Sequence, residues 1–227
     1  MSRSPMTVGA LVFDLDGVLV DSMNVAKAAW QDWALRIGID PAELLTGLHG
    51  SRPVDAVRRW APHLDVEGEV QRLVATELEG LERCTPMPGA VRLLHRLPSH
   101  MWGVVTSSNR QLAEARLLRV VASLPDVLIC AEDVGSGKPS PEGYLAASRL
   151  LGQHPGSWMG IEDSPLGLRA IKAAGGIAVG LRTTHSAREL EDAALIVDDL
   201  SFLDVEVEAR SGIIRVGPRA EVPEFER

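Results

Sequence analysis

The stretch VGALVFDLDG, at residues 8–17, is a short apolar run that ends in two carboxylates, Asp14 and Asp16. A continuous apolar run of this length is typical of a strand that is covered on both faces in a parallel sheet. Further runs of the same kind, each ending in polar residues or glycine, lie at 101–108, 126–133, 157–164, 177–181 and 195–200. The sequence therefore predicts a mainly parallel sheet that includes the first run as a buried strand.

Helical patterns alternate with these predicted strands, at 88–97, 110–118, 141–152 and 165–175. The last two begin at a proline that follows serine and end in glycine, as helix start and stop signals do. Strands and helices in alternation indicate an α/β fold with a doubly wound sheet.

The stretch from residue 23 to residue 86 breaks this alternation, because it has no convincing strand. Its patterns predict three helices, over 23–37, 52–60 and 65–83. We expect a helical insertion over 23–86 within an α/β core that comprises residues 1–22 and 87–227. The tail after about residue 202 is the least informative part; VEVEARSGIIRV there suggests a terminal hairpin.

Composition excludes several classes of protein. The 227 residues are 45% hydrophobic and carry a net charge of −8, which is ordinary for a globular protein and argues against nucleic acid as a partner. There is no run of about 18 apolar residues, so we expect no membrane span. Cys84 and Cys130 form no disulfide or metal-ligand pattern, and we predict reduced thiols in a cytoplasmic protein. We expect a monomer or weak dimer.

Polar side chains follow several of the predicted strands, at the edge where an open α/β sheet binds its ligands. They are Asp14, Asp16, Thr106, Lys138, Glu162 and Asp163. Several carboxylates at one point repel one another unless a cation neutralises them. An oxygen-rich cluster suits Mg²⁺, with substrate phosphate and water completing the coordination. The sequence therefore predicts a magnesium site at this edge.

These residue types suggest phosphoryl transfer. Asp14 can attack phosphorus to form an aspartyl-phosphate, and Asp16 can protonate the leaving oxygen and later activate water. Thr106 can hold phosphoryl oxygens, Lys138 can balance charge, and Gly17 allows the chain to turn close to the ligand. Each signal alone is weak, since such residues at strand ends usually form turns, caps or solvated surface. The hypothesis depends on all of them occurring in this order.

The motifs resemble those of the haloacid dehalogenase superfamily over most of the chain. They are FDLDGVLVDS at 13–22, VVTSS at 104–108, Lys138 in SGKPSPEGY, and GIEDSPLGLRAIKAAG at 160–175. The inserted helices fall where that superfamily has its helical cap. The resemblance implies that Asp14 is the nucleophile and Asp16 the acid/base. It also implies a Mg²⁺ ion held by Asp14, the carbonyl of Asp16, and Asp163, with Glu162 binding it directly or through water.

Within the superfamily, the sequence is most similar to sugar and polyol phosphate phosphatases, including glycerol-phosphate and 2-deoxyglucose-6-phosphate phosphatases. The similarity continues through HGSRPVDAVRRWAP at 49–62, MPGAVRLLHRLP at 87–98 and AEDVGSGKPSPEGYL at 131–145. It implies a small phosphorylated metabolite as substrate. The implied substrate-binding residues are Gly17, Ser107 and Ser108 in the core, with His49, Gly50 and Arg52 in the cap.

Two other functions remain open. β-Phosphoglucomutase resembles this chain in its first motif, but that family has a histidine twelve residues after its nucleophile, where this chain has Ala26. A non-catalytic module that binds a phosphometabolite is the second alternative, although none of the four motifs is incomplete. Dehalogenation is disfavoured because the metal-binding acids Glu162 and Asp163 are present. The sequence thus favours a Mg²⁺-dependent phosphatase and does not identify its sugar or polyol.

Overall fold

The structure is a computed structural model, and it describes residues 5–46, 48, 51–208 and 212–219. Its strands are β1 (Met6–Val8), β2 (Ala10–Phe13), β3 (Val20–Asp21), β4 (Thr85–Pro86), β5 (Trp102–Val105), β6 (Leu128–Ile129), β7 (Trp158–Glu162), β8 (Ile177–Leu181), β9 (Leu195–Val197), β10 (Leu203–Glu208) and β11 (Ile213–Pro218). Its α-helices are α1 (Met23–Ile37), α2 (Pro41–Leu45), α3 (Pro53–Trp60), α4 (Val66–Glu79), α5 (Ala90–Leu94), α6 (Arg110–Leu117), α7 (Glu142–Leu150) and α8 (Pro165–Ala173).

The central sheet has six strands in the order β6-β5-β2-β7-β8-β9, and every neighbouring pair is parallel. Helices α6, α7 and α8 alternate with its strands along the chain. The predicted α/β fold with a doubly wound parallel sheet is therefore confirmed. Strand β2 lies between β5 and β7, so the carboxyl ends of these three strands are neighbours.

The two faces of the sheet belong to two separate hydrophobic clusters. Leu11 and Phe13 face one cluster, while Ala10 and Val12 face the other, as the alternation of side chains along a strand requires. All four are fully buried. Burial on both faces explains why β2 reads in the sequence as a continuous apolar run rather than an alternating one.

Helices α1 to α4 share a third hydrophobic cluster, which includes Trp30, Trp33 and Leu44. Helix α2 was not predicted, since its five residues are too few to show a helical period. Its start has a local cause, because Asp40 caps the helix by accepting a hydrogen bond from the amide of Ala42 at 2.9 Å. The division into residues 1–22, 23–86 and 87–227 stays a prediction.

The chain enters and leaves these helices side by side. Strand β3 pairs with β4 in antiparallel fashion, with Val20 opposite Pro86 and Asp21 opposite Thr85. A third sheet has the order β1-β11-β10 and is antiparallel throughout. It contains the hairpin suggested by the tail sequence, and it adds β1, which the sequence did not indicate.

Among the residues with assigned structure, no helix has the length and hydropathy needed to cross a membrane. Cys84 and Cys130 are free and buried. The cytoplasmic location and the monomeric or weakly dimeric state stay predictions.

Candidate active site

The carboxyl ends of β2, β5 and β7 bring the predicted catalytic residues to one edge of the sheet. Asp14 follows β2 directly, and its amide donates to the carbonyl of Ile161 at 2.9 Å. Thr106 follows β5 in the same way, with its amide 2.9 Å from the carbonyl of Ile129. Glu162 is the last residue of β7. The sheet register therefore fixes the backbone from which these side chains project.

Lys138 reaches this edge from the loop before α7 and binds two carboxylates. Its Nζ atom lies 2.7 Å from Oδ1 of Asp14 and 2.6 Å from Oε1 of Glu162. The side chain is 6% exposed, so the ammonium is almost fully withdrawn from water. It also lies over the ring of Tyr144, 5.6 Å from the centroid. A buried ammonium is stable only when paired, and here it has two partners.

Glu162 is fully buried and accepts hydrogen bonds at both carboxylate oxygens. Oε2 accepts from the amides of Asp163 and Ser164 and from the hydroxyl of Ser164, each at 2.9 Å. Oε1 accepts from Lys138 and, at 3.3 Å, from the hydroxyl of Tyr144. This carboxylate therefore holds Lys138 in place and ties the site to the start of α8.

Asp14, Glu162 and Asp163 form a cluster with the chemistry of a metal site. One carboxylate oxygen from each of them lies within 4.8 Å of the others, and all three residues are buried. The donor set is oxygen only, as a hard divalent cation requires. The same group of acids would repel without a counter-ion. The residues present thus fit the predicted Mg²⁺ ion.

The pKa values of these acids reflect the same crowding. Burial, together with the charges of Glu162 and Asp16, raises the pKa of Asp14 to about 7, although Lys138 acts in the opposite direction. Burial and the charges of Glu162 and Asp14 raise the pKa of Asp163 well above its usual value. Burial would also raise the pKa of Glu162, but the charge and hydrogen bond of Lys138 hold it below the ordinary value. The site carries more negative charge than Lys138 balances.

Gly17 allows the acid cluster to pack this closely. Its backbone has φ +80°, in the left-handed region that favours glycine. A Cβ atom there would collide with Oδ2 of Asp163. The same Asp163 oxygen accepts a hydrogen bond from the hydroxyl of Thr184. The role that the structure gives Gly17 is thus to make room for Asp163, while its contact with substrate stays a prediction.

Asp16 is held by residues that the sequence did not assign to it. Oδ1 accepts from the hydroxyl of Ser22 at 2.5 Å and from Nη1 of Arg116 at 2.8 Å. Oδ2 accepts from the hydroxyl of Ser108 at 2.9 Å. Arg116 also pairs with Glu77 of α4. No sequence signal distinguished Arg116, since an arginine in a helix usually lies on the surface.

A cavity of about 500 Å³ opens between this edge and the inserted helices. The predicted residues on its wall are Asp14, Asp16, Thr106, Ser107, Ser108, Lys138 and Asp163. The facing wall comes partly from α1, through Met23, Ala26, Lys27 and Trp30. Glu162 is fully buried and does not line the cavity. A cavity of this size accommodates a small metabolite.

The predicted cap residues are placed differently from the core residues. His49 and Gly50 lie outside the described residues. Arg52 is buried and turns toward the core loop, where Nη1 donates to the carbonyl of Val134 at 2.8 Å and Nη2 to that of Gly135 at 3.2 Å. It lines a small cavity of about 20 Å³ rather than the large one. The structure thus makes Arg52 a link between α3 and the core, and its contact with substrate stays a prediction.

Two further residues of the site follow β8. The Nδ1 atom of His185 lies 2.9 Å from the carbonyl oxygen of Asp163, and the ring lines the large cavity. Thr184 contacts the carboxylate of Asp163. Both could have been predicted from the sequence, because functional polar residues follow buried strands in this fold. The stretch RTTHS, at 182–186, comes directly after the predicted strand at 177–181.

Comparison with known proteins gives matches along most of the chain. A family model described as haloacid dehalogenase-like hydrolase matches residues 8–175. Hexitol phosphatase A of Escherichia coli (strain K12) is 32% identical, over 92% of this chain and 99% of that protein. 2-Deoxyglucose-6-phosphate phosphatase 1 of Saccharomyces cerevisiae is 32% identical, over 89% and 92%. A crystal structure of β-phosphoglucomutase from Clostridium difficile has the same fold, with TM-score 0.74 and 24% identity over 85% of this chain and 92% of that one.

Proposed function

The chain belongs to the haloacid dehalogenase-like hydrolases, and on that basis we propose that it is a Mg²⁺-dependent phosphatase of a small sugar or polyol phosphate. The observation that carries this proposal is the convergence of Asp14, Asp163 and Lys138 at one end of the cavity, with Asp16 beside them. Two relatives with sequence identity above 30% are named for phosphatase activity on hexitol and 2-deoxyglucose phosphates.

The acid cluster would hold the cation. Asp14, Asp163 and the carbonyl of Asp16 are the proposed ligands, and Glu162 would act beneath them, directly or through water. When bound, a divalent cation supplies positive charge that neutralises these carboxylates and the oxygens of a phosphoryl group. The raised pKa values of Asp14 and Asp163 support this proposal, since burial and the neighbouring carboxylates raise them by more than Lys138 lowers them.

The chain's own residues would perform two displacements at phosphorus. In the first, a carboxylate oxygen of Asp14 forms a bond to phosphorus while the bond to the leaving oxygen breaks, and that oxygen takes a proton from Asp16. In the second, Asp16 takes a proton from a water molecule while the oxygen of that water attacks phosphorus. The bond between phosphorus and the carboxylate of Asp14 breaks in the same step. Phosphate leaves, and Asp14 returns to its starting state.

Other core residues would orient these steps. Lys138 donates to Asp14 at 2.7 Å, so it fixes the direction of the nucleophilic carboxylate and balances its charge. Thr106, Ser107 and Ser108 line the cavity, and the hydroxyls of Thr106 and Ser107 would donate hydrogen bonds to phosphoryl oxygens, while that of Ser108 donates to Asp16. The inserted helices cover the site and would restrict the entry of bulk water.

The cavity is consistent with a compact leaving group. Its volume is about 500 Å³, and apolar residues of α1, such as Met23 and Trp30, face the catalytic edge. Lys27 is the one cation that α1 contributes to the described wall. A substrate of the size of a hexitol phosphate fits such a volume.

Phosphoryl transfer between two positions of a sugar is the second candidate, because the fold matches that of a β-phosphoglucomutase. Ala26 speaks against it. This residue lines the cavity at the position where the resemblance places the mutase histidine. A methyl group can neither donate nor accept a proton, so the structure favours release of phosphate over its return to the sugar.

A screen of phosphorylated metabolites tests the proposal. The purified protein is incubated with hexitol, hexose, deoxyhexose and glycerol phosphates with Mg²⁺, and phosphate release is measured. We expect one subset to be hydrolysed, EDTA to stop the reaction, and Asp14→Asn to lose at least about 10³-fold in rate. Undiminished turnover by Asp14→Asn would exclude it as the nucleophile. Ligand binding without phosphate release from any substrate would instead favour a non-catalytic binding module.

A further inference from the structure

Arg116 is the most deeply buried arginine at the site, with 2% of its side chain exposed. It projects from α6 of the core and contacts three side chains at once. Its Nη1 lies 2.8 Å from Oδ1 of Asp16 and donates to the hydroxyl of Ser108 at 3.0 Å. Its Nη2 pairs with the carboxylate of Glu77. One guanidinium therefore joins the proposed acid/base to a residue of the inserted helices.

Glu77 belongs to α4, one of the inserted helices, and it is 4% exposed. Burial raises its pKa, and the charge of Arg116 acts in the opposite direction. Helix α4 packs against α6, so this ion pair lies inside the contact between the inserted helices and the core. A buried carboxylate without its partner would be costly. The pairing therefore depends on α4 staying against α6.

Only arginine has the shape for this arrangement. Its planar fork presents several donors in fixed directions, whereas a lysine is a single point charge that cannot hold two separated carboxylates with the same precision. The single positive charge of Arg116 is shared between two carboxylates, those of Glu77 and Asp16. Ser22 and Ser108 complete its shell, at 2.5 and 2.9 Å. The carboxylate of Asp16 thus has a fixed direction only while the guanidinium does.

We propose that Arg116 is a positioning residue that aims Asp16 at the leaving oxygen, and that Glu77 makes this aim depend on the docked position of α4. The inference rests on the proposed function, because it assumes that Asp16 is the acid/base. Asp16 transfers its proton as the bond between phosphorus and the leaving oxygen breaks. A misdirected Asp16 would leave Asp14 able to attack, but the leaving oxygen would have to depart without its proton.

The leaving group provides a readout that a merely structural role would not change. p-Nitrophenolate departs as a stable anion and needs no proton, whereas the alkoxide of a sugar or polyol does. The test compares kcat/KM for p-nitrophenyl phosphate with that for the alkyl phosphate that the wild-type protein hydrolyses fastest. This parameter covers binding and the first displacement, which is the step in which Asp16 donates. The ratio of the two values is the measured quantity.

Arg116→Met should lower kcat/KM for the alkyl phosphate by about 100-fold and that for p-nitrophenyl phosphate by less than about fivefold. Arg116→Lys should restore part of the ratio, because it retains a charge near Asp16. Glu77→Gln leaves the contact of Arg116 with Asp16 in place and should shift the ratio in the same direction by a few-fold. The Glu77→Gln variant keeps the proposal testable if Arg116→Met does not fold.

The chain offers two matched controls. Arg110 lies on the same helix as Arg116 but pairs with Asp133 at the surface, 2.6 Å away. Glu69 lies on the same helix as Glu77 and is also buried, but its partners Trp33 and Arg36 belong to the inserted helices. Arg110→Gln and Glu69→Gln should leave the ratio unchanged within about twofold, even if they lower stability.

Equal losses for both substrates in every folded Arg116 and Glu77 variant would overturn the inference while leaving the proposed function intact. A wild-type protein that hydrolyses no phosphate ester would instead overturn the proposed function itself. A selective loss with alkyl phosphates, absent from both controls, would establish Arg116 as the residue that positions Asp16.

Discussion

The amine of Lys138 lies 2.7 Å from a carboxylate oxygen of Asp14, although 124 positions separate the two residues in the chain. A second carboxylate, that of Glu162, accepts from the same amine at 2.6 Å. Desolvation would lower the pKa of Lys138, but the two carboxylates hold it well above the ordinary value, so the amine stays charged. The proposed nucleophile is thus paired with a buried amine that stays charged.

Replacement of Lys138 by methionine should lower stability and activity together. Asp14 and Glu162 would then face each other in a buried site with no counter-charge, and removing one partner of a buried ion pair costs about 3–5 kcal/mol. We expect the free energy of unfolding in urea to fall by about that amount in metal-free buffer. Lys172→Met is the matched control, since Lys172 pairs with Asp192 at the surface and is half exposed. Loss of this exposed ion pair should lower the free energy of unfolding by less than about 1 kcal/mol.

Binding of Mg²⁺ should strengthen with pH up to about pH 7. Burial raises the pKa of Asp14 from 3.8 to about 7 in the absence of metal. A carboxyl whose pKa rises on folding binds its proton more tightly in the folded chain. Its contribution to stability is therefore favourable below pH 3.8 and is lost as the pH rises to about 7. A cation must displace that proton, and also a proton held by Asp163, so its affinity should rise over this window by up to about tenfold per pH unit for each proton displaced.

The increase in melting temperature on adding MgCl₂, at constant ionic strength, measures this effect. The increase should be larger at about pH 8 than at about pH 5.5. Asp163→Asn, which removes a proposed ligand, should largely abolish it at both values. An increase that does not vary with pH in the wild-type protein would contradict the assignment of Asp14 as a ligand that protonates in this range.

Gly17→Ala should cost activity out of proportion to stability. Its φ of +80° strains any side chain, and the new methyl group would also displace Oδ2 of Asp163. Gly38 is the matched control, because it has φ +76° and a Cβ atom there would have no neighbour within 4 Å. Gly38→Ala should cost about 1–2 kcal/mol of stability and leave catalysis unchanged. Gly17→Ala should in addition weaken Mg²⁺ binding and phosphate release by at least about tenfold.

Arg52→Ala should lower kcat/KM by a similar factor for all substrates. Its guanidinium donates to carbonyls of the loop that leads to Lys138, at Val134 and Gly135. Loss of these bonds would loosen that loop whichever leaving group is bound, and we expect a reduction of about tenfold. Arg58→Ala serves as control, since Arg58 is exposed and lies in α3, the helix that Arg52 precedes. A loss that differs strongly between sugar and glycerol phosphates would instead indicate that Arg52 contacts the substrate.

The sequence predicted the fold class and the family, and both are confirmed by the sheet topology and by the comparisons. It succeeded because buried parallel strands are continuous apolar runs, and because the residues that follow them, such as Asp14 and Thr106, are fixed by position alone. The structure brings these predicted residues to one cavity. Their catalytic roles stay predictions, as do the substrate contacts of His49 and Gly50, which lie outside the described residues.

What the sequence missed depends on contacts between distant segments. Arg116 reads as a surface residue of an amphipathic helix, and only the packing of α4 against α6 buries it beside Asp16 and Glu77. Arg52 was predicted to face the substrate, but it turns away from the large cavity because three loop carbonyls accept its hydrogen bonds. Short elements such as α2 and β1 escaped prediction, since a few residues show no period.

The pairing of Val20 with Pro86 places the exit from the sheet beside the return to it. The segment between these two residues is therefore equivalent to one long connection whose ends are held together by the pairing of β3 with β4. Such a connection can change in length without moving Asp14, but Arg52 and Glu77 within it contact the loop before Lys138 and the guanidinium of Arg116. A protein engineer who transplants a different set of helices onto this edge would therefore have to rebuild both contacts before the exchange could alter substrate choice alone.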